Sequence, residues 1–168
     1  MAKIKSTLDI VMERTKNLTM TQKDRDALNK KELSDRIRGW VQMLVDHRYT
    51  IDELKTACAD ESAHAPEAMD ILRRELLGHI DPDMDDDMIL KAYGDILGLD
   101  TGPVLETIGS YRRSMAQGIA EHRQRLLETL AASGVSGSAV LPNVQAEPEW
   151  KAFSSRLKES FRQSLQQG

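Results

Sequence analysis

Residues 103–133 read PVLETIGSYRRSMAQGIAEHRQRLLETLAAS, and this stretch decides the fold class. Its apolar and aromatic positions recur every three or four residues, the period of one face of an α-helix. The positions on this face are Val104, Ile108, Tyr111, Met115, Ile119, His122, Leu126 and Leu130. Pro103 suits a first helical turn, and Gly134 suits the residue after a helix end. The pattern predicts one helix over about 103–133, roughly 45 Å long.

The composition of the 168 residues favours helices throughout the chain. Hydrophobic residues make up 40% and charged residues 30%, as in soluble globular proteins. Aromatic residues make up only 4%, whereas sheets favour aromatic and β-branched side chains. We therefore expect an all-α bundle of six or seven helices, with the helix at 103–133 as its spine.

Targeting and redox features are sparse in the sequence. The longest uncharged apolar-rich run, residues 39–45, is far shorter than the roughly 20 residues that a membrane span needs. We see no secretory signal, because Asp9 and Glu13 interrupt the N-terminal segment. The single cysteine, Cys58, has no internal partner for a disulfide. These features predict a cytoplasmic protein without a membrane segment.

Helix boundaries have local sequence signals. A Ser or Thr stands three positions before an acidic residue at three places, which is the spacing of a capping box. The three pairs are Ser6 with Asp9, Thr21 with Asp24, and Thr50 with Glu53. Pro66 fits the first turn of a fourth helix. Gly98 fits the end of a fifth helix that runs from about 84 to 97.

The C-terminal part of the chain changes character after residue 133. Gly, Ser and Pro are frequent in 133–150, which indicates a loop or arm. Beyond it, one side of a predicted short helix carries Trp150, Phe153, Leu157, Phe161 and Leu165. We expect a helical domain at 1–133, an arm at 134–148 and an amphipathic docking helix at 149–168. The sequence leaves open whether this helix docks on its own chain or on another subunit.

Charge is distributed in blocks, although the net charge is only −4. Residues 1–38 carry about +4, residues 39–106 about −11, and residues 107–168 about +3. Our main interpretation is that the basic ends fold against the acidic middle of the same chain. The alternatives are that the blocks complement each other between chains, or that a basic partner binds the middle.

The stretch HIDPDMDDDM, residues 79–88, contains five aspartates in seven positions. Asp81, Asp83 and Asp85 match the alternating start of a calcium loop of the EF-hand type. The sixth and twelfth positions of such a loop need Gly and Glu, but here they are Asp86 and Ala92. We therefore interpret the stretch as a helix boundary with Asp83 as its cap, since the helix dipole favours acidic groups there. A basic docking surface and a specific metal site are the weaker alternatives.

Other candidates for chemistry are isolated. Glu61 and His64 have the Glu-x-x-His spacing of helical di-metal sites, and Glu75 with His79 lies four residues apart. A metal-dependent bundle enzyme using these four residues is one alternative function, although a di-metal site needs more ligands. Cys58 lies beside Leu54 and is expected to be a small buried residue. His122 falls on the apolar face of the long helix, where a hydrogen-bonded core or interface histidine is expected.

No converging catalytic set is visible, so the leading hypothesis is a non-catalytic protein that binds itself, as a homodimer, or another protein. No cofactor, metal or small-molecule ligand is predicted. The expected binding residues are Trp150, Phe153, Leu157, Phe161, Met115, Ile119 and Leu126. A DNA-binding helical regulator is a further alternative, because arginine pairs occur at 112–113 and at 123 and 125. The acidic net charge and scarce aromatics make nucleic acid a less favoured partner.

Overall fold

The computed structural model describes residues 21–84 and 87–167, and all regular structure in these residues is helical. There are six α-helices and one short 3₁₀ turn in this part of the chain. The α-helices are α1 (Gln22–Val45), α2 (Ile51–Ser62), α3 (Ala68–Gly78), α4 (Asp87–Leu97), α5 (Gly102–Ala132) and α6 (Pro148–Gln167), and the 3₁₀ turn is Val144–Ala146. The predicted all-α class is confirmed, with α5 as the long helix. The predicted capping box at Ser6 and Asp9 lies outside the described residues.

Two of the predicted capping boxes start helices as expected. Thr21 Oγ1 accepts a hydrogen bond from the Asp24 amide at 3.2 Å, and the Thr21 amide donates to the Asp24 carboxylate at 3.0 Å. Thr50 and Glu53 repeat this exchange at the start of α2. Each box satisfies two donors that an uncapped helix would leave unpaired.

The remaining helix ends follow the expected glycine and proline rules with small shifts. Gly98 has a φ of +65°, and its amide donates to the Gly94 carbonyl at the end of α4. Pro103 lies in the first turn of α5, and Gly134, with a φ of +82°, follows the helix. Pro66 lies in a turn just before α3, which begins two residues later than the proline rule suggested.

Helices α1 to α4 enclose the first part of the hydrophobic core. α1 packs mainly on α3, and α2 contacts α1, α3 and α4. The fully buried large side chains are aliphatic: Ile37, Val41, Leu44, Leu54, Leu72, Leu76 and Ile89. Cys58 is buried among them, as predicted. Burying such side chains stabilises the fold by roughly 1.5–3 kcal/mol each before entropy is counted.

Three ion pairs join the basic ends of the chain to its acidic middle. Arg36 pairs with Glu61 at 2.8 Å, Arg38 with Glu75 at 3.2 Å, and Lys158 with Asp83 at 2.6 Å. Each pair connects charge blocks that are far apart in sequence, in agreement with our main interpretation of the charge pattern. The arginines and Lys158 are about half exposed, so each pair contributes about 0–1 kcal/mol.

The prediction that Asp83 caps the next helix is wrong. α4 begins at Asp87, and the Asp83 carboxylate instead accepts a hydrogen bond from the Tyr111 hydroxyl at 3.2 Å while it pairs with Lys158. The Arg112 side chain donates to the carbonyls of Pro82 and Met84 at 2.9 and 3.0 Å. The aspartate-rich turn therefore attaches α5 and α6 to the helical bundle.

α6 returns along α5 and forms with it the most extensive helix pair of the structure. Its direction is antiparallel, because Trp150 near its start contacts His122 while Phe161 near its end contacts Tyr111. Phe161 and Leu165 are buried in the main core, where α6 also contacts α3. The predicted docking helix thus lies against its own chain. None of the helices in the described ranges is both long and apolar enough to cross a membrane.

Candidate interaction surface on the α5–α6 hairpin

The outer half of the hairpin contains an aromatic cluster separate from the main core. The Trp150 ring lies 5.5 Å from the rings of both His122 and Phe153, measured between centroids. The His122 and Phe153 centroids are 5.8 Å apart. Gly118 lies beneath Phe153, and a Cβ at this position would come within 2.7 Å of the Phe153 Cζ atom. The missing side chain lets α6 approach α5 closely.

A polar pair closes the cluster at the start of α6. His122 is only 5% exposed, and its Nδ1 atom lies 2.8 Å from the Glu147 carboxylate. Arg125, one turn further along α5, donates to Glu149 at 3.1 Å. A buried imidazole needs such a partner, because an unpaired polar group there would be costly. His122 is therefore a hydrogen-bonded histidine buried between two helices of the same chain, which agrees with the expected core or interface position.

The predicted binding residues divide into three groups by exposure. Trp150 and Phe161 are buried between the helices. Phe153, Leu157, Met115 and Leu126 are partly buried. Ile119 is 45% exposed and lies on the outer side of α5. Most of the predicted binding residues are therefore at least partly covered within their own chain, and Ile119 is the one that remains at the surface.

The arm between α5 and α6 supplies further apolar groups beside Ile119. Ile119, Leu141, Pro142 and Val144 surround an open cavity of about 350 Å³ whose wall includes Trp150. We call these four residues and the cavity the hairpin patch. Leu141 is 78% exposed, the most exposed large apolar side chain among the described residues. Arg123, Asn143 and Gln145 add polar groups around the cavity.

Leu141 was not among the predicted binding residues. Residues 138–144, SAVLPNV, are apolar and contain a proline, so they predict an extended loop but give no period from which burial follows. Only the path of the arm across α5 determines which side chain points outward. The apolar composition of a Gly/Ser/Pro-rich arm was the available signal.

The structure does not bring the four residues of the hypothetical bundle metal site together. The Glu61 and Glu75 carboxylates pair with different arginines, Arg36 and Arg38. His64 and His79 each place Nδ1 near a backbone carbonyl four residues earlier. Within the described ranges, a single set of three potential ligands has atoms within 4.8 Å of one another, namely His122, Glu147 and Glu149. Its two carboxylates already interact with His122 and Arg125, which favours a structural hydrogen-bond network.

Cys58 and the arginines considered for DNA contacts also have defined local environments in the structure. The pKa of the Cys58 thiol is raised to about 11, mainly by burial and to a lesser extent by the charge of Glu61. The thiol is therefore protonated near neutral pH. Among the arginines considered for DNA contacts, Arg112 binds the turn at 82–84 and Arg125 binds Glu149. Arg113 donates to Ser110, and Arg123 lies beside the hairpin patch. These arginines therefore have different local roles along α5.

Comparison with known proteins identifies no relatives: no protein-family model matches the chain, and neither does any curated protein or solved structure.

Proposed function

We propose that this protein is a non-catalytic interaction protein that forms a homodimer through the hairpin patch. The observation that carries the proposal is the position of Leu141, which protrudes almost fully exposed beside an apolar cavity. The closed dimer of the commonest kind has a twofold axis, so each subunit offers the same surface. A surface with an apolar projection next to an apolar hollow is complementary to its own copy in this arrangement.

The energetic reason lies in the side chains that the pairing would cover. Placing Leu141 of each copy in the cavity of the other removes two exposed leucines from water, at roughly 1.5–3 kcal/mol each. Specific interfaces bury about 1,200–2,000 Å² in total, so the patch would be the centre of a larger contact. Arg123, Asn143 and Gln145 are suited to form its polar rim. The presence of a single cysteine, Cys58, without a disulfide is consistent with a reducing location such as the cytoplasm.

A charge placed at position 141 tests the proposal. Leu141→Glu should weaken dimerisation at least about tenfold, because the carboxylate would have to leave water and lie against the apolar side chains of Ile119, Pro142 and Val144. Leu105→Glu is the matched control, since Leu105 is 51% exposed on α5 but does not line the hairpin patch. Sedimentation experiments compare the two variants. The proposal fails if they behave alike, whether both remain dimeric or both dissociate.

A further inference from the structure

A second surface lies on the opposite part of α6, where its C-terminal turns cross α3. Arg73, Arg74 and Arg162 line an open cavity of about 450 Å³ there, together with Leu77, Ile80 and Leu165. We call these six residues the arginine groove. An adjoining cavity of about 480 Å³ shares Arg73, Leu77 and Leu165 with it. The two cavities therefore adjoin one another at these shared residues.

The three guanidinium groups of this groove have no carboxylate partner in the described part of the chain. Arg73 donates to the Tyr93 hydroxyl at 3.4 Å, and Arg74 donates to the backbone carbonyl of Asp70 at 3.2 Å. No hydrogen bond or ion pair is found for Arg162 within residues 21–84 and 87–167. By contrast, Arg36, Arg38 and Arg125 all pair with glutamates. The groove therefore presents three guanidinium groups on one surface of a chain whose net charge is −4.

The side chains that line the groove indicate which class of ligand it suits. Three guanidiniums recognise carboxylates in preference to neutral groups, and an arginine presents a planar pair of donors to each carboxylate. Ile80, which is partly exposed, offers apolar contact beside these donors, and the nearly buried Leu77 and Leu165 form the apolar floor of the cavity. An occupant must therefore carry acidic and apolar groups on adjacent faces. A groove between two helices that continues into a second cavity also matches the way in which an amphipathic helix lies across a helical partner.

Two other occupants fit the groove less well. The first 20 residues of the chain contain four Lys or Arg and two acidic residues, so their charge has the wrong sign. Nucleic acid offers negative charge, but the neighbouring cavity is lined by the carboxylates of Asp70 and Asp100, which would repel an extended polyanion. A short acidic segment can place its charge over the arginines alone.

We propose that the arginine groove binds an acidic amphipathic helix of another protein. This surface shares no residues with the hairpin patch, so each of the two proposals can be tested without the other. Recognition places carboxylates of the partner on Arg73, Arg74 and Arg162 and its apolar side chains on Leu77, Ile80 and Leu165. Binding of this kind weakens as salt screens the charges.

The test uses the full-length protein and a labelled peptide of about 16 residues, long enough for four helical turns, with Leu and Glu at helical spacing. Fluorescence anisotropy at low salt should show saturable binding. Arg74→Glu with Arg162→Glu should weaken it at least about tenfold, a change of about 1.4 kcal/mol. The matched control, Arg113→Glu with Arg156→Glu, alters the same charge outside the groove and should change affinity less than about twofold.

Further measurements distinguish between the possible occupants of the groove. A peptide with Gln in place of Glu should not bind, and Arg74→Gln with Arg162→Gln should weaken binding without adding negative charge. The proposal is overturned if the wild type shows no saturable binding, or if both arginine pairs matter equally. It is also overturned if duplex DNA binds the groove more tightly than the peptide with the same dependence on Arg74 and Arg162.

Peptide binding that survives Leu141→Glu separates this result from dimerisation. A dimer that survives Leu141→Glu but is lost with the groove arginines would instead identify a second copy as the occupant, against the proposal.

Discussion

Gly118 of α5 lies directly beneath the ring of Phe153 of α6, so closely that a Cβ at position 118 would overlap the ring. The two helices meet here without an intervening side chain. On one side of this contact is the aromatic cluster of His122 and Trp150, and on the other are Met115 and Leu157 at the edge of the main core. The contact therefore links the outer half of the hairpin to the body of the protein.

Gly118→Ala should destabilise the protein despite the higher helix propensity of alanine. The new methyl group must displace Phe153, and overpacking of this kind typically costs about 1–3 kcal/mol. Gly109→Ala is the control in the same helix, because its Cβ would meet only the flexible end of Arg113 at 3.4 Å. That variant should gain up to about 1 kcal/mol from helix propensity. Urea unfolding of both variants measures the difference, and changes of the same sign would contradict the close contact.

Phe161→Ala should be among the most damaging single substitutions in α6. Phe161 is buried against Tyr111, with ring centroids 5.3 Å apart, and belongs to the main core. Truncation of a buried phenylalanine costs about 3–5 kcal/mol, whereas Ile119→Ala at the surface should cost less than about 1 kcal/mol. The free energy of unfolding from denaturant titration gives both values. Equal effects would mean that α6 is not docked as described.

Alkaline pH should destabilise the protein through Tyr111. Burial, followed by the charge of Asp83, raises the pKa of Tyr111 from 10.0 to about 12. A raised pKa in the folded state means that the stabilisation is complete below pH 10.0 and is lost as the pH rises towards 12. Tyr111→Phe removes the titrating group, so its stability should decline less over this range. Thermal midpoints across the alkaline range test this expectation, and parallel curves for the two proteins would refute it.

Acid should weaken the cap of α2 through Glu53. Hydrogen bonds from the backbone and then the side chain of Thr50 lower the pKa of Glu53 below its ordinary value of 4.5. A lowered pKa in the folded state makes the stabilisation complete above pH 4.5 and causes its loss as the pH falls below that value. Glu53→Gln keeps a hydrogen-bond acceptor but does not titrate, so it should lose less stability on acidification. Chemical unfolding at a series of acidic pH values measures this, and an identical pH dependence in the variant would oppose it.

The helices were predictable because their signals are local. The spacing along residues 103–133 and the exchange between Thr50 and Glu53 both operate within one or two helical turns. Asp83 was misjudged for the opposite reason. A local rule made it a cap, but its carboxylate binds Tyr111 and Lys158, which approach it only in the folded chain.

The candidate sites were less predictable than the fold. The apolar side of α6 was visible in the sequence, but only packing shows that Trp150 and Phe161 are used internally while Leu141 is left exposed. The arginine groove joins Arg73 and Arg74 of α3 to Arg162 of α6. No short motif connects positions so far apart, and their lack of carboxylate partners is a property of the folded chain alone.

The measurement that tests the central claim most directly is sedimentation equilibrium of the full-length wild-type protein over a range of micromolar concentrations. We predict a reversible equilibrium that reaches twice the mass of one chain at the upper concentrations, as expected for contact through the hairpin patch. A mass of one chain throughout this range would contradict the homodimer and, with it, the proposed role of Leu141.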